Sequence, residues 1–252
     1  MIATNPMKIQ EPKLSNIFSD DHSDNRSDNQ SDPSSATIEV ALFPIPSMVA
    51  FPGTVVPLHV FEPRYRQMIR DCVRDERMIG VCHTRKTIRA AKANQTQLEA
   101  MRSNQATYLP QPVFSAGYCE IIETLDDGRI MAEIRVERRL QIVKEIQSLP
   151  YRIVASQPLD DEIPSADEAA VQKTRNRDLQ KLINSKLLVL IGSESPEFAN
   201  LITGSEWQSL SPDEFSFQLF QTLRFDPDQM QVILETRSTH ERLSTIWDYL
   251  CR

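Results

Sequence analysis

Apolar positions follow two different rhythms along this chain: the first part alternates with the period of strands, the last part repeats with the period of helices. Ile38, Val40, Leu42 and Ile45 predict a first strand that ends near Pro44 and Pro46. Phe51-Pro52-Gly53 is a turn signal, because proline presets φ and glycine tolerates a positive φ. Residues 55–61 read as a second strand. Pro57 cannot donate to a ladder, so that strand is expected at an edge or with a bulge. A helix is predicted from Glu62-Pro63, with proline at a first-turn position where its missing N–H is harmless. Tyr65, Met68, Ile69, Cys72 and Val73 give it one apolar face.

A short strand is expected over residues 78–82. Residues 84–112 break the pattern: Arg85, Lys86, Arg89 and Lys92 make the start basic, and Pro110-Gln111-Pro112 ends it. The composition allows a helix over residues 87–101 in what is otherwise a long insertion. Strands resume at 113–125, turn at Asp126-Asp127-Gly128 and return through Ile130, Ala132, Ile134 and Val136. Two more are expected over 140–146 and 151–155. Six or seven strands around one helix imply a small closed or nearly closed β-domain.

Residues 158–164 read as a linker. Residues 166–190 predict one long amphipathic helix, and Ser211…Glu214, Asp226…Gln229 and Ser238…Glu241 have the spacing of capping boxes. The first two also carry proline at the first helical position. Trp207, Leu210, Phe215 and Phe220 are assigned to the core of the resulting bundle. Phe217 falls between the faces of Phe215 and Phe220, which leaves its placement, buried or exposed, open.

Residues 19–35 contain no apolar side chain and repeat Ser-Asp every four positions, from Ser19-Asp20 to Ser31-Asp32. Such a segment has no core with which to offset the entropy of ordering, so residues 1–36 are expected to be a disordered acidic tail. The domain plan is therefore that tail, a β-domain over residues 37–157 and a helical bundle over 158–252.

Composition narrows the chemistry. The net charge of −7 disfavours DNA and anionic membrane surfaces. The longest aliphatic run, residues 187–191, is far short of a bilayer span, which takes ~20 apolar residues. No hydrophobic leader is visible before Lys13, so a cytoplasmic location is expected. Only six glycines occur, and the closest two are Gly117 and Gly128. Phosphate-cradling loops need glycines within a few residues of each other, so GxxxxGK[ST] and GxGxxG are excluded, as is the GxSxG nucleophile elbow. Cys72, Cys82, Cys119 and Cys251 form no CxxC pair, and Cys82-His83 could hold a metal only with ligands from elsewhere. Glu133 and Glu137 offset Arg135, Arg138 and Arg139, arguing against a nucleic-acid patch. No catalytic, cofactor-binding or metal-ligating residue is assigned.

Three runs carry a family resemblance: Leu42-Phe43-Pro44-Ile45-Pro46, Val49-Ala50-Phe51-Pro52-Gly53, and Val56-Pro57-Leu58-His59-Val60-Phe61-Glu62-Pro63-Arg64-Tyr65. They resemble the opening signature of the Lon N-terminal domain, the substrate-binding part of ATP-dependent Lon proteases. Gly117-Tyr118-Cys119-Glu120-Ile121, Arg138-Arg139-Leu140, Pro150-Tyr151-Arg152 and His240-Glu241-Arg242-Leu243 fit its order. The resemblance implies an α+β chain: a PUA-like pseudo-β-barrel followed by a C-terminal helical bundle. It implies a non-catalytic module that binds unfolded or degron-bearing segments and serves as an adaptor in protein quality control, with a separate protease or chaperone as partner. No ATPase or Ser/Lys peptidase module follows the domain in this sequence, so no enzyme activity and no cofactor are expected. The candidate peptide-binding residues are Phe51, His59, Phe61, Arg64 and Tyr65, with the proline-marked second strand as an edge to which an extended peptide could add. The alternative is an RNA-binding PUA-like protein, which the acidic charge disfavours.

Overall fold

The computed structural model describes residues 37–89, 107–192 and 195–251. The expected tail over residues 1–36, and all but the start of the expected 87–101 helix, lie outside the described residues.

Among the described residues eight strands form, in chain order: β1 (Ile38–Pro44), β2 (Val55–Val60), β3 (Ile79–Cys82), β4 (Thr84–Arg89), β5 (Thr107–Pro110), β6 (Val113–Thr124), β7 (Ile130–Gln147) and β8 (Ile153–Pro158). Six of them make one sheet in the order β2-β7-β6-β3-β1-β8, and β7 also pairs with β8, so β1, β3, β6, β7 and β8 close into a ring. β7 closes it because it is one long strand, where the sequence suggests two. Its first half pairs with β2 and β6, and its second half pairs with β8. Register shifts at Ala116/Gly117, Ile121/Glu123, Ile142/Lys144 and Glu145/Gln147 mark the bulges at which β7 and its partners bend. Gly117 is required at the first of these. A Cβ there would stand 1.7 Å from the Arg135 carbonyl oxygen on the facing strand.

The helix α1 (Pro63–Arg74) packs on this sheet with Tyr65, Met68, Ile69 and Cys72 buried, as its apolar face predicts, while Val73 stays largely exposed. β4 and β5 form a separate two-stranded ribbon, so residues 87–89, the described start of the segment that the composition allowed as a helix, are strand.

The rest is helical: α2 (Ala166–Leu190), α3 (Pro196–Thr203), α4 (Ser205–Ser209), α5 (Pro212–Gln218), a 3-10 turn (Leu219–Gln221), α6 (Pro227–Glu235) and α7 (Thr239–Leu250). Local sequence sets their starts. Ser211 and Glu214 make a complete capping box, and Ser238 accepts from the Glu241 N–H. Asp226 caps α6 differently from the expected box, accepting from the Asp228 N–H. Each such cap contributes about 1 kcal/mol. The face that α2 buries is polar over most of its length, and its amides all find partners. Asn176 pairs with His240 Nδ1 at 2.9 Å, and Gln180 Nε2 donates to the Leu210 carbonyl at 3.2 Å. Asn184 Oδ1 accepts from Trp207 Nε1 at 3.0 Å.

One aromatic residue joins the two halves. Phe51, on the turn between β1 and β2, is 1% exposed and belongs to the helical core with Phe215, Phe217 and Phe220. Its ring stacks on Phe220 at a centroid distance of 4.3 Å.

Candidate functional site

The turn that carries Phe51 also shapes a cleft. Gly53 has a φ of 77°, a left-handed value that favours glycine, and its N–H donates to the Val136 carbonyl at 2.9 Å. Thr54 Oγ1 donates to the Phe51 carbonyl at 2.7 Å, tightening the turn. The chain then enters β2, which has β7 on one side and, among the described residues, no strand on the other.

Opposite the turn stand α3, α4 and the end of α5. Between them lies a cleft of about 510 Å3, lined by Gly53, Asn200, Leu201, Glu206, Trp207, Leu210, Gln218 and Gln221, among others. Leu201 is 45% exposed and Trp207 only 7%, so the walls offer leucine and one face of an indole. Two carboxamides in the lining, Asn200 and Gln218, supply neutral donors and acceptors. Beyond Gln221, a smaller hollow of about 90 Å3 runs along β2 between Met48, Val49, Pro57, Phe220 and Arg224. Gln221 stands between the two. Its Oε1 accepts from the Val55 N–H at 2.9 Å, and its Nε2 donates to the Val55 carbonyl at 3.4 Å.

Of the five residues singled out from the sequence, Phe51 lines the smaller hollow and the other four lie outside both. Phe51 is 1% exposed and packs in the helical core, where it joins the halves, while also lining the smaller hollow beside β2. Tyr65 is 6% exposed in the barrel core beside Phe43, and burial pushes its hydroxyl well above the usual phenol range. Arg64 is held by Glu62 at 3.0 Å, donates to Thr107 Oγ1 at 3.3 Å and lies 4.5 Å from the Tyr65 ring centroid. Only His59 and Phe61 reach solvent on or next to β2, with His59 Nε2 3.3 Å from Arg129 Nη1. The carboxamides of the cleft went unnoticed because Asn and Gln on helices read as solvated positions, and only tertiary packing brings them into the lining of one cleft.

Other reactive groups are committed elsewhere. Burial pushes the thiols of Cys72, Cys82 and Cys119 up to about 12, which leaves them protonated near neutrality. His83 accepts from the Ser47 N–H at 3.1 Å through Nδ1, and its Nε2 lies 3.4 Å from Asp228. That ring therefore ties the loop after β1 to α6. Among the described residues, no group of three or more His, Cys, Asp or Glu could hold a metal ion, and no helix is long and apolar enough to cross a membrane.

A buried ionic cluster, none of whose residues lines the cleft, locks the linker onto both halves. Arg242 on α7 is wholly buried; its Nη1 and Nη2 donate to the two oxygens of Asp161 at 2.7 and 2.6 Å. The same guanidinium also bonds Asp213, the Ser216 hydroxyl at 3.0 Å and the Thr236 carbonyl at 3.0 Å. Arg139 on β7 bonds Asp161 too, and donates to the carbonyls of Leu234 at 2.8 Å and Thr236 at 2.7 Å. Both guanidinia lie over the Phe217 ring, at 5.0 Å for Arg139 and 4.2 Å for Arg242. Phe217, left open by its helical position, is thus 6% exposed. Burial alone would raise the Asp161 carboxyl, but the hydrogen bonds and charge of Arg242, with the charge of Arg139, hold it below the usual carboxylate range. Asp213 goes the other way: burial, reinforced by the Asp161 charge, raises it against the pull of Arg242.

Comparison with known proteins agrees with this architecture. Residues 39–252 match the family described as the ATP-dependent protease La (LON) substrate-binding domain. Over 217 residues the chain is 24% identical to Lon protease 1 of Herpetosiphon aurantiacus, covering 85% of this chain and 24% of that protein. The chain thus spans about a quarter of the length of that relative. The N-terminal domain of the Mycobacterium avium complex Lon protease superposes with a TM-score of 0.60 at 16% identity, covering 84% of this chain and 98% of that domain. A Lon N-terminal domain protein from Xanthomonas campestris superposes with a TM-score of 0.52 at 18% identity, with the same coverages. At those identities the likeness speaks for the fold: a mostly closed sheet carrying helices after it. With the match spanning nearly every described residue, the chain belongs to the Lon substrate-binding domain family.

Proposed function

We propose that this protein captures unfolded or degron-bearing polypeptide segments in the cleft between the Gly53 turn and helices α3 to α5, without catalysis, and presents them to a separate protease or chaperone. The observation that carries this reading is the lining of the 510 Å3 cleft: apolar side chains at Leu201, Trp207 and Leu210, together with the carboxamides of Asn200 and Gln218. An extended chain offers the matching surface, since apolar side chains suit such walls and peptide units suit neutral amides. Substrate binding is what the family's description names, and the cleft is the part of this chain that best fits a polypeptide.

The test is a binding titration with fluorescently labelled, carboxymethylated casein. Leu201→Glu places a carboxylate on the apolar wall at an exposed helix position, and is expected to weaken binding at least about tenfold with little change in unfolding midpoint. Equal affinity of variant and wild type would remove the cleft from the account. Binding should depend weakly on salt; a steep fall between 50 and 200 mM would instead indicate phosphate-type contacts and favour the RNA reading. Casein incubated with the pure protein, with or without ATP, should remain intact, and reproducible cleavage would overturn the non-catalytic part of the proposal.

A further inference from the structure

The outer edge of β2 is already occupied by something that imitates a peptide. Backbone groups along an antiparallel strand alternate between facing the partner strand and facing away. The Val136 N–H donates to the Thr54 carbonyl at 2.9 Å, so the positions in step with Thr54, namely Val56, Leu58 and Val60, face β7. Val55, Pro57 and His59 therefore face outward. Proline sits where its missing N–H interrupts no ladder, which explains how β2 tolerates it. The outward groups are then two donors, the N–H of Val55 and of His59, and three acceptors, the carbonyls of Val55, Pro57 and His59.

Gln221 engages one of those positions with both ends of its carboxamide, accepting from the Val55 N–H at 2.9 Å and donating to the Val55 carbonyl at 3.4 Å. A residue of an added antiparallel strand makes the same pair of contacts. Gln221 is an exposed residue on a 3-10 turn and stands between the two hollows that flank this edge. We propose that the β2 edge is a docking site for an extended polypeptide strand, and that Gln221 is a placeholder which the incoming backbone displaces. The proposal rests on the reading of the cleft as a polypeptide site, and it adds the mode of binding: strand pairing at Val55, Pro57 and His59, with side chains of the docked segment entering the hollows on either side. Pro57 limits the edge to a broken ladder, which disfavours open-ended pairing between copies. The carboxamide keeps Val55 satisfied while no segment is bound.

The test uses the full chain and two fluorescein-labelled decapeptides rich in Val and Thr, one ordinary and one N-methylated at alternate residues. Gln221→Ala is expected to bind the ordinary peptide about tenfold more tightly than wild type, since two modest hydrogen bonds no longer compete. The N-methylated peptide should show no such gain. In the free variant the Val55 amide should exchange with deuterium faster than in wild type, with only the small fall in unfolding midpoint that loss of the same two hydrogen bonds brings, and should regain protection with the ordinary peptide bound. If wild type binds the ordinary peptide and the variant binds it no better, the placeholder is refuted while the cleft reading stands. A Val55 amide that exchanges no faster in the variant refutes it equally. If neither protein binds either peptide at any accessible concentration, the polypeptide reading fails and the placeholder fails with it.

Discussion

Replacing Arg242 with methionine is expected to lower folding stability by about 3–5 kcal/mol, the cost of removing one partner from a buried ionic cluster. The side chain is wholly buried and serves Asp161, Asp213, Ser216 and Thr236 at once. Methionine fills most of the volume, so the loss reflects charge and hydrogen bonding more than a cavity. Asp161 would keep Arg139, but Asp213 would face another carboxylate with no cation between them. Arg242→Lys should recover only part of the loss, because an ammonium cannot span Asp161 in a two-point fork. Urea unfolding at pH 7 measures both, and a cost below about 1 kcal/mol for the methionine variant would mean that the cluster behaves as an exposed pair.

The same cluster gives an acid limb with a defined sign. Asp161 titrates below the usual range in the folded state, so its contribution is present above the unfolded value of about 3.9 and is lost as pH falls through the lower folded value. Asp213 is raised and opposes this, since its protonated form is favoured by folding. Asp161→Asn should flatten the fall in stability between pH 5 and 3, whereas Asp213→Asn should leave or steepen it. Identical slopes for the wild type and Asp161→Asn would assign the acid limb to other carboxylates.

The second large effect is expected for Phe51→Ala, at about 3–5 kcal/mol, as for other buried phenylalanines. Phe51 is the aromatic side chain that the β1–β2 turn inserts into the helical core, stacked against Phe220 and 6.1 Å from Phe217. Its removal should weaken the joint between the halves more than either half alone. Both tryptophans, Trp207 and Trp247, lie in the helical part, so tryptophan fluorescence follows that half selectively. In the variant, the fluorescence transition in urea should separate from the far-ultraviolet circular dichroism transition, which also follows the sheet. Coincident transitions with a small loss of stability would show that other contacts hold the halves together.

Elements governed by neighbours in sequence were readable in advance. Pro57 marked an edge strand, Gly128 a hairpin turn, and the Ser211…Glu214 spacing a helix start, because turn, cap and edge chemistry act over a few residues. The resemblance at residues 42–65 placed the fold as a whole. What local pattern could not supply is which distant groups meet. Asp161 reads as one of several acids in a linker and proves to hold two buried guanidinia. Arg139, on a strand where glutamates seem to balance it, is 5% exposed and faces helix carbonyls instead. Phe51 reads first as a turn and core residue and second as a peptide-reading aromatic, and the helices that bury it lie more than 160 residues further along.

Periodicity, punctuation and motif order were enough to establish the strand-then-helix plan and the family, because these depend on side-chain spacing along one segment at a time. Packing alone could make 130–147 one continuous strand that closes the sheet, bring Asn200 and Gln218 to one cleft and set Gln221 against Val55. Such contacts arise from desolvation and hydrogen-bond satisfaction between segments far apart in the chain, and no window of neighbouring residues contains both partners.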